Sequence, residues 1–134
     1  MPLQFSAAAR NAALDSFEVT VGASAKLQLR SGAAPADCAT AASGSLLAEL
    51  ALPADWMNAA SSGTKTKLGT WSGTGAIAGT VAHFRIVDTA ATTCHAQGTV
   101  TATGGGGDMT VDNVVIAVSQ AITINTYTYT AGNA

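Results

Sequence analysis

Two hydrophobic periods divide the chain. Across "SAAARNAALDSFEVTV" the apolar residues Leu14, Phe17 and Val21 recur at steps of three and four, which predicts an amphipathic helix over about residues 6–21. Ser6 is placed to cap its start and Gly22 to stop it, while the β-branched "VTV" weakens its last turn and favours an end nearer Phe17. From Lys26 the period becomes two. Leu27 and Leu29 point one way and Lys26, Gln28 and Arg30 the other, as in a half-buried strand that ends at Ser31 and Gly32. "AAPADCATAASG" is small, polar and Pro-containing and reads as a loop. "SLLAELALP" reads as a second strand closed by Pro53, and "ADWMNAASSG" as an irregular turn with Trp56 over the edge of the core.

The remaining apolar runs, "TKTKLGTW", "AGTVAHFRIVD", "TAATTCHAQGTVTAT", "DMTVDNVVIAV" and "QAITINTYTYT", alternate with turn residues. About seven or eight short strands at intervals of roughly 8–12 residues predict an all-β fold. The architecture expected is a single β-sandwich, jelly-roll-like or small barrel domain with one short N-terminal helix. Residues 1–5 form an N-terminal arm and residues 6–134 the domain. Leu3 and Phe5 have no local core to enter and are candidate partner contacts.

Four consecutive glycines, Gly104 to Gly107, separate "QGTVTAT" from "MTVDN". A phosphate-binding loop needs Lys and Ser/Thr after the glycines and then a helix, whereas Asp108, Met109 and β-branched residues follow here. The run is therefore expected to be a hairpin connection, with at least one glycine at positive φ and the flanking strands antiparallel.

Composition narrows the function. Charged residues make up 10% and hydrophobic ones 48%, of which few are aromatic, so the surface has little charge with which to repel neighbours. The formal net charge is −2 and the six basic residues are scattered, which argues against nucleic acid as a partner. No apolar stretch is long enough for a membrane span, and "MPLQFSAAAR" does not read as a secretory signal, so synthesis in a cytoplasm is expected. Free, partly buried thiols are the expectation for Cys38 and Cys94.

Chemistry-bearing residues are sparse. Cys94 and His95 are neighbours on a strand and point to opposite faces, the wrong geometry for a nucleophile and its base. His83, Cys94 and His95 fit no zinc spacing, and Asp108 and Asp112 with Asn113 offer oxygens of the type calcium takes but fit no calcium loop. His83 shares a strand face with Arg85 and is expected to make surface or intersubunit hydrogen bonds. The aspartates, Asp88 among them, sit where turns use them. No catalytic, cofactor-binding or metal residue is assigned, and an enzyme is not expected. Alternation places Tyr127 and Tyr129 on the polar face with Thr123 and Asn125, as candidate contacts for a partner surface or a sugar. Trp56 and Trp71 read as the core edge ahead of a sugar platform.

The segments "AARNAALDSFEVTVGASAKLQLRSG", "LLAELALPADWM", "GTWSGTGAIAGTVAHFRIVD" and "TVTATGGGGDMTVDNVVIAVSQAITINTYTYTAGNA" together resemble a family of small virion structural proteins of tailed bacteriophages, over nearly the whole chain. That resemblance implies a virion structural protein made in the host cytoplasm, and together with the low charge and the lack of a site it leads to the expectation of a capsid decoration (cement) protein located in the virion. Its partners would be the major capsid protein and further copies of itself as a homo-oligomer. A neck or tail component, binding neck or tail proteins, and a carbohydrate-binding module of a tail fibre are the alternatives. No cofactor, nucleic acid or membrane is expected as a partner.

Overall fold

A computed structural model describes residues 3–131; residues 1 and 2 of the expected arm and 132–134 of the expected domain lie outside that range. Helix α1 spans Ala7–Val21 because both its ends are specified locally. The Ser6 hydroxyl accepts from the Ala9 N–H at 3.1 Å, and Gly22, at φ 95°, leads the chain away while its N–H bonds Glu18 O. The β-branched tail does not shorten the helix to Phe17. Val21 is buried at its end, and packing outweighs propensity there.

Eleven strands follow among the described residues: β1 (Lys26–Arg30), β2 (Leu46–Ala51), β3 (Thr64–Thr66), β4 (Trp71–Thr74), β5 (Gly79–Thr80), β6 (His83–Val87), β7 (Cys94–Ala102), β8 (Met109–Val111), β9 (Val115–Ile116), β10 (Ala121–Ile124) and β11 (Thr128–Thr130). The fold is all-β with a single N-terminal helix, its sheet curled into a half-barrel. The main sheet has the order β2-β1-β6-β7-β8. Its register sets Leu27 between Leu50 and Ile86 and Leu29 between Ala48 and Phe84, so one sheet face is continuously apolar and buried. Three two-stranded pairs, β4 with β10, β3 with β11 and β5 with β9, complete the fold.

The strands are shorter and more numerous than the apolar runs suggested. "AGTVAHFRIVD" divides at Val81 and Ala82 because its halves enter different sheets. Val81 N–H bonds Val114 O, beside the β5–β9 pair, and Ala82 N–H bonds Arg30 O, beside β1.

The tetraglycine segment differs from expectation in one respect. Gly104 and Gly106 do adopt positive φ, 88° and 81°, but β7 and β8 pair in parallel, Val100 opposite Met109 and Ala102 opposite Val111. Parallel strands ordinarily require a long crossover. Here the overlap is three residues, so the chain need retreat only about 7 Å before pairing again. The retreat is held by Thr101 Oγ1 accepting from Gly107 N–H at 3.0 Å and by the Asp108 carboxylate accepting from Thr99 N–H at 2.9 Å. The other two glycines serve close approach. A Cβ on Gly105 would lie 2.7 Å from the Thr101 side chain, and one on Gly107 would lie 2.9 Å from Thr101 N. Gly107→Ala is thus expected to cost about 1–3 kcal/mol through forced displacement. Gly104→Ala, which meets open space, should cost only about 1 kcal/mol from its backbone conformation. Denaturant unfolding of the two variants checks the order.

Candidate functional site

The second face of the main sheet carries Gln28, Arg30, His83, Arg85 and Gln97, of which Gln28 and Arg30 read from sequence as the polar side of their strand and His83 with Arg85 as surface residues. Residues 31–45 cross this face without strand partners of their own, and carbonyls in such a segment need donors. The sheet supplies them. Gln97 Nε2 donates to Pro35 O at 2.7 Å, Arg85 Nη2 to Cys38 O at 2.8 Å, and Arg85 Nη1 and Nη2 both to Thr40 O at 3.1 Å. His83 Nδ1 lies 2.7 Å from Gly32 O. His83 is 1% exposed and Arg85 4%, which replaces the expected surface role of His83 with an internal one. His83 Nε2 and Gln97 Oε1 are buried there without partners.

The same segment is covalently fastened. Cys38 and Cys94 form a disulfide with their Cα atoms 5.2 Å apart, contrary to the free thiols expected. Their separation of 56 residues conceals that the segment carries Cys38 to the first residue of β7.

Between segment and sheet lies a cavity of about 290 Å³ whose walls include Gln28, Arg30, Thr40, Arg85 and the disulfide. The register places Gln28 opposite Arg85, so Arg30 follows on the same face two residues along. Arg30 Nε donates to Gln28 Oε1 at 3.1 Å, and Gln28 Nε2 donates to Glu49 Oε2 at 3.0 Å. Partial burial and, after it, the Arg85 charge hold the Arg30 pKa below its ordinary value, against a smaller opposing effect of Glu49. Nearby acids are otherwise engaged. Asp37 accepts from Thr40 N and Oγ1, both at 2.8 Å, and those bonds lower its pKa; Asp88 accepts from Thr92 and Thr93 and closes its turn as expected.

A second polar cluster docks the helix. Lys65, 1% exposed, places Nζ 2.7 Å from Asp15 Oδ1 and 3.0 Å from Glu18 Oε1, and donates to Asn58 O at 2.9 Å. Both carboxylates also accept from backbone N–H groups, Asp15 from Ala60 and Glu18 from Met57. The Lys65 hydrogen bond, then that of Ala60, lowers the Asp15 pKa. Burial alone would lower the Lys65 pKa, but its bonds to Asp15 and Glu18 outweigh it and raise the value. The Asp15 contribution to stability is present above its unfolded pKa of about 3.9 and is lost as pH falls through the lower folded value. The Lys65 contribution is present below its unfolded pKa of about 10.4 and is lost as pH rises through the higher folded value. Lys65→Met is expected to cost about 2–3 kcal/mol, less than a fully buried pair because Asp15 is 46% exposed, and to flatten both flanks of the stability–pH curve.

Of the contact residues read from sequence, Leu3 and Phe5 are exposed, at 74% and 55%. Tyr127 and Tyr129 are not surface contacts: Tyr127 is 6% exposed and Tyr129 half-buried. The strand breaks between β10 and β11, so alternation does not carry through Asn125 and Thr126, and Tyr127 turns inward like Ile122 and Ile124. It stacks edge-on against Phe84 at 5.6 Å and Tyr129 at 4.7 Å. Burial raises both tyrosine pKa values. Trp56 and Trp71 are wholly buried, as core residues, so none of these four rings offers an open sugar platform. Asp108 caps Thr99 and Asp112 accepts from Asn125 Nδ2; among the described residues no group of three or more His, Cys, Asp or Glu side chains could hold a metal ion.

Sequence reasoning missed three exposed apolar side chains. Ile77, Val115 and Val118 are 50%, 57% and 61% exposed. Val115 lies on β9 opposite Thr80, while Ile77 and Val118 lie on the bend and the turn that flank the β5–β9 pair: Ile77 N–H bonds Leu47 O, and Gln120 N–H closes the turn at Val118 and Ser119 onto Ala117 O. The signal was present in the charge pattern: residues 68–84 and 113–134 contain no Asp, Glu, Lys or Arg, and these two stretches supply the three side chains. No family model, curated protein or solved structure matches the chain.

Proposed function

We propose that the chain is a bacteriophage virion structural protein, a decoration (cement) protein that binds and stabilises the head shell. The observation that carries this reading is the exposure of Ile77, Val115 and Val118 on two charge-free stretches of chain that pair through β5 and β9. Such side chains gain free energy on being covered and their stretches present no charge to be desolvated, which suits repeated docking on a lattice of identical sites. The exposed Leu3 and Phe5 extend the same chemistry to the arm.

Cryo-EM of the intact particle with mass-spectrometric copy counting tests the reading. Decoration requires density on the shell and a copy number tied to the capsid lattice. A small multiple matching tail symmetry would place the chain in the neck or tail instead, and absence from purified particles would refute a virion role. Within the proposal, Val118→Asp and deletion of residues 1–5 should each lower particle occupancy while leaving the melting temperature of the isolated protein nearly unchanged.

A further inference from the structure

The Arg30–Arg85 cavity has a property that the virion reading does not use. Two guanidiniums share one wall, and no carboxylate oxygen of the described residues lies within 4.0 Å of either. Glu49 acts on Arg30 and Asp37 on Arg85 only through space, because the nearby acids are bonded elsewhere: Asp37 to Thr40, Glu49 to Gln28 and to Lys26 at 3.6 Å, Asp88 to Thr92. Arg85, almost wholly buried, donates only to neutral backbone carbonyls. A buried charge with only neutral partners is costly, and a second cation nearby adds to the cost.

Donors remain for an anion. A guanidinium has five N–H groups. Arg30 spends one on Gln28, and its two terminal nitrogens have no partner among the described residues. Arg85 spends its bonds from Nη1 and Nη2 on Cys38 and Thr40 and keeps Nε–H. At about 290 Å³ the cavity is at the lower limit of ligand sites, suited to a small group and not to a nucleotide.

We propose that this cavity is an oxyanion site, with Arg30 and Arg85 clamping a phosphate or a carboxylate. The bound oxygens accept from the free face of Arg30 and lie beside Arg85, in the fork geometry that suits both anions. A free anion in solution and an acidic side chain of a protein partner supply the same chemistry, and titration distinguishes the two sources. The Cys38–Cys94 bond holds one wall, so the site requires the oxidised protein.

Two-dimensional 1H–15N NMR of the full chain, titrated at constant ionic strength with inorganic phosphate, with acetate as the side-chain mimic and with chloride as control, tests this. Saturable shifts confined to residues 28–30, 38–42, 85 and 92–94 are expected with phosphate or acetate and not with chloride. Tighter phosphate binding identifies a free tetrahedral anion as the occupant, and tighter acetate binding a partner's carboxylate. Arg30→Gln, at a half-buried position that tolerates a neutral side chain, should weaken binding roughly tenfold or more with its spectrum otherwise native. Non-saturable shifts with both anions, or unchanged affinity in Arg30→Gln, overturn the proposal. Either result leaves the virion reading standing, since that reading rests on Ile77, Val115 and Val118, none of which lines the cavity.

Discussion

Trp71→Ala is expected to lower the unfolding free energy by about 4 kcal/mol, near the upper end for loss of a buried aromatic. Trp71 is wholly buried between Trp56, centroid 5.9 Å away, and Tyr127, at 5.8 Å. Its Nε1 donates to Trp56 O and Leu68 O, both at 3.2 Å. Alanine would open a cavity where β4, the 56–57 segment and the tyrosines meet, and would strip Leu68 O of its donor, while Trp56 O keeps the bond from Leu68 N–H. Denaturant unfolding measures the loss, and a change below about 1 kcal/mol would show that the surroundings collapse onto the space.

Reduction of the Cys38–Cys94 bridge is expected to cost a similar amount, about 4 kcal/mol in the chain-entropy account of a 56-residue loop. The melting temperature should fall by roughly 10–20 °C. Thiol titration of the native protein should find none free. Cys94→Ser should reproduce the reduced protein's melting temperature and be insensitive to reductant. Retention of full stability on reduction would mean that the bonds from Gln97, Arg85 and His83 suffice to hold residues 31–45.

Those residues mark the boundary of what a sequence makes legible here. The helix could be read because Ser6 and Gly22 act within one turn of their own positions, and the core face because Leu27 and Leu29 alternate with polar residues. Alternation assigns faces but not what covers them. Gln28 and Arg85 look like solvent-facing strand residues, and only the passage of a distant loop makes them internal. Tyr127 was misplaced for a related reason: alternation holds only while a strand continues, and the break at Asn125 and Thr126 leaves no mark on a run of Thr, Tyr and Asn. The glycine run announced positive φ but not the direction of pairing, which depends on the bonds of Thr101 and Asp108 to the same loop. Ile77, Val115 and Val118 lie in stretches without charge, which was legible, but nothing in those stretches says which of their apolar residues stay outside the core.

Helix α1 also has a place in the order of assembly. Phe17 meets Tyr129 with centroids 4.8 Å apart, and Arg10 donates to Ala131 O across 121 residues of sequence. Its other anchor, β3, pairs with β11 near the far end of the described chain. During synthesis the helix leaves the ribosome before any of the strands, yet its full docking surface does not exist until β11 has been made. Contacts closed over so long a chain form slowly. The helix, made before the strands, is thus among the last elements to settle, and Leu14, Phe17 and Val21 stay uncovered in the nascent chain throughout that interval.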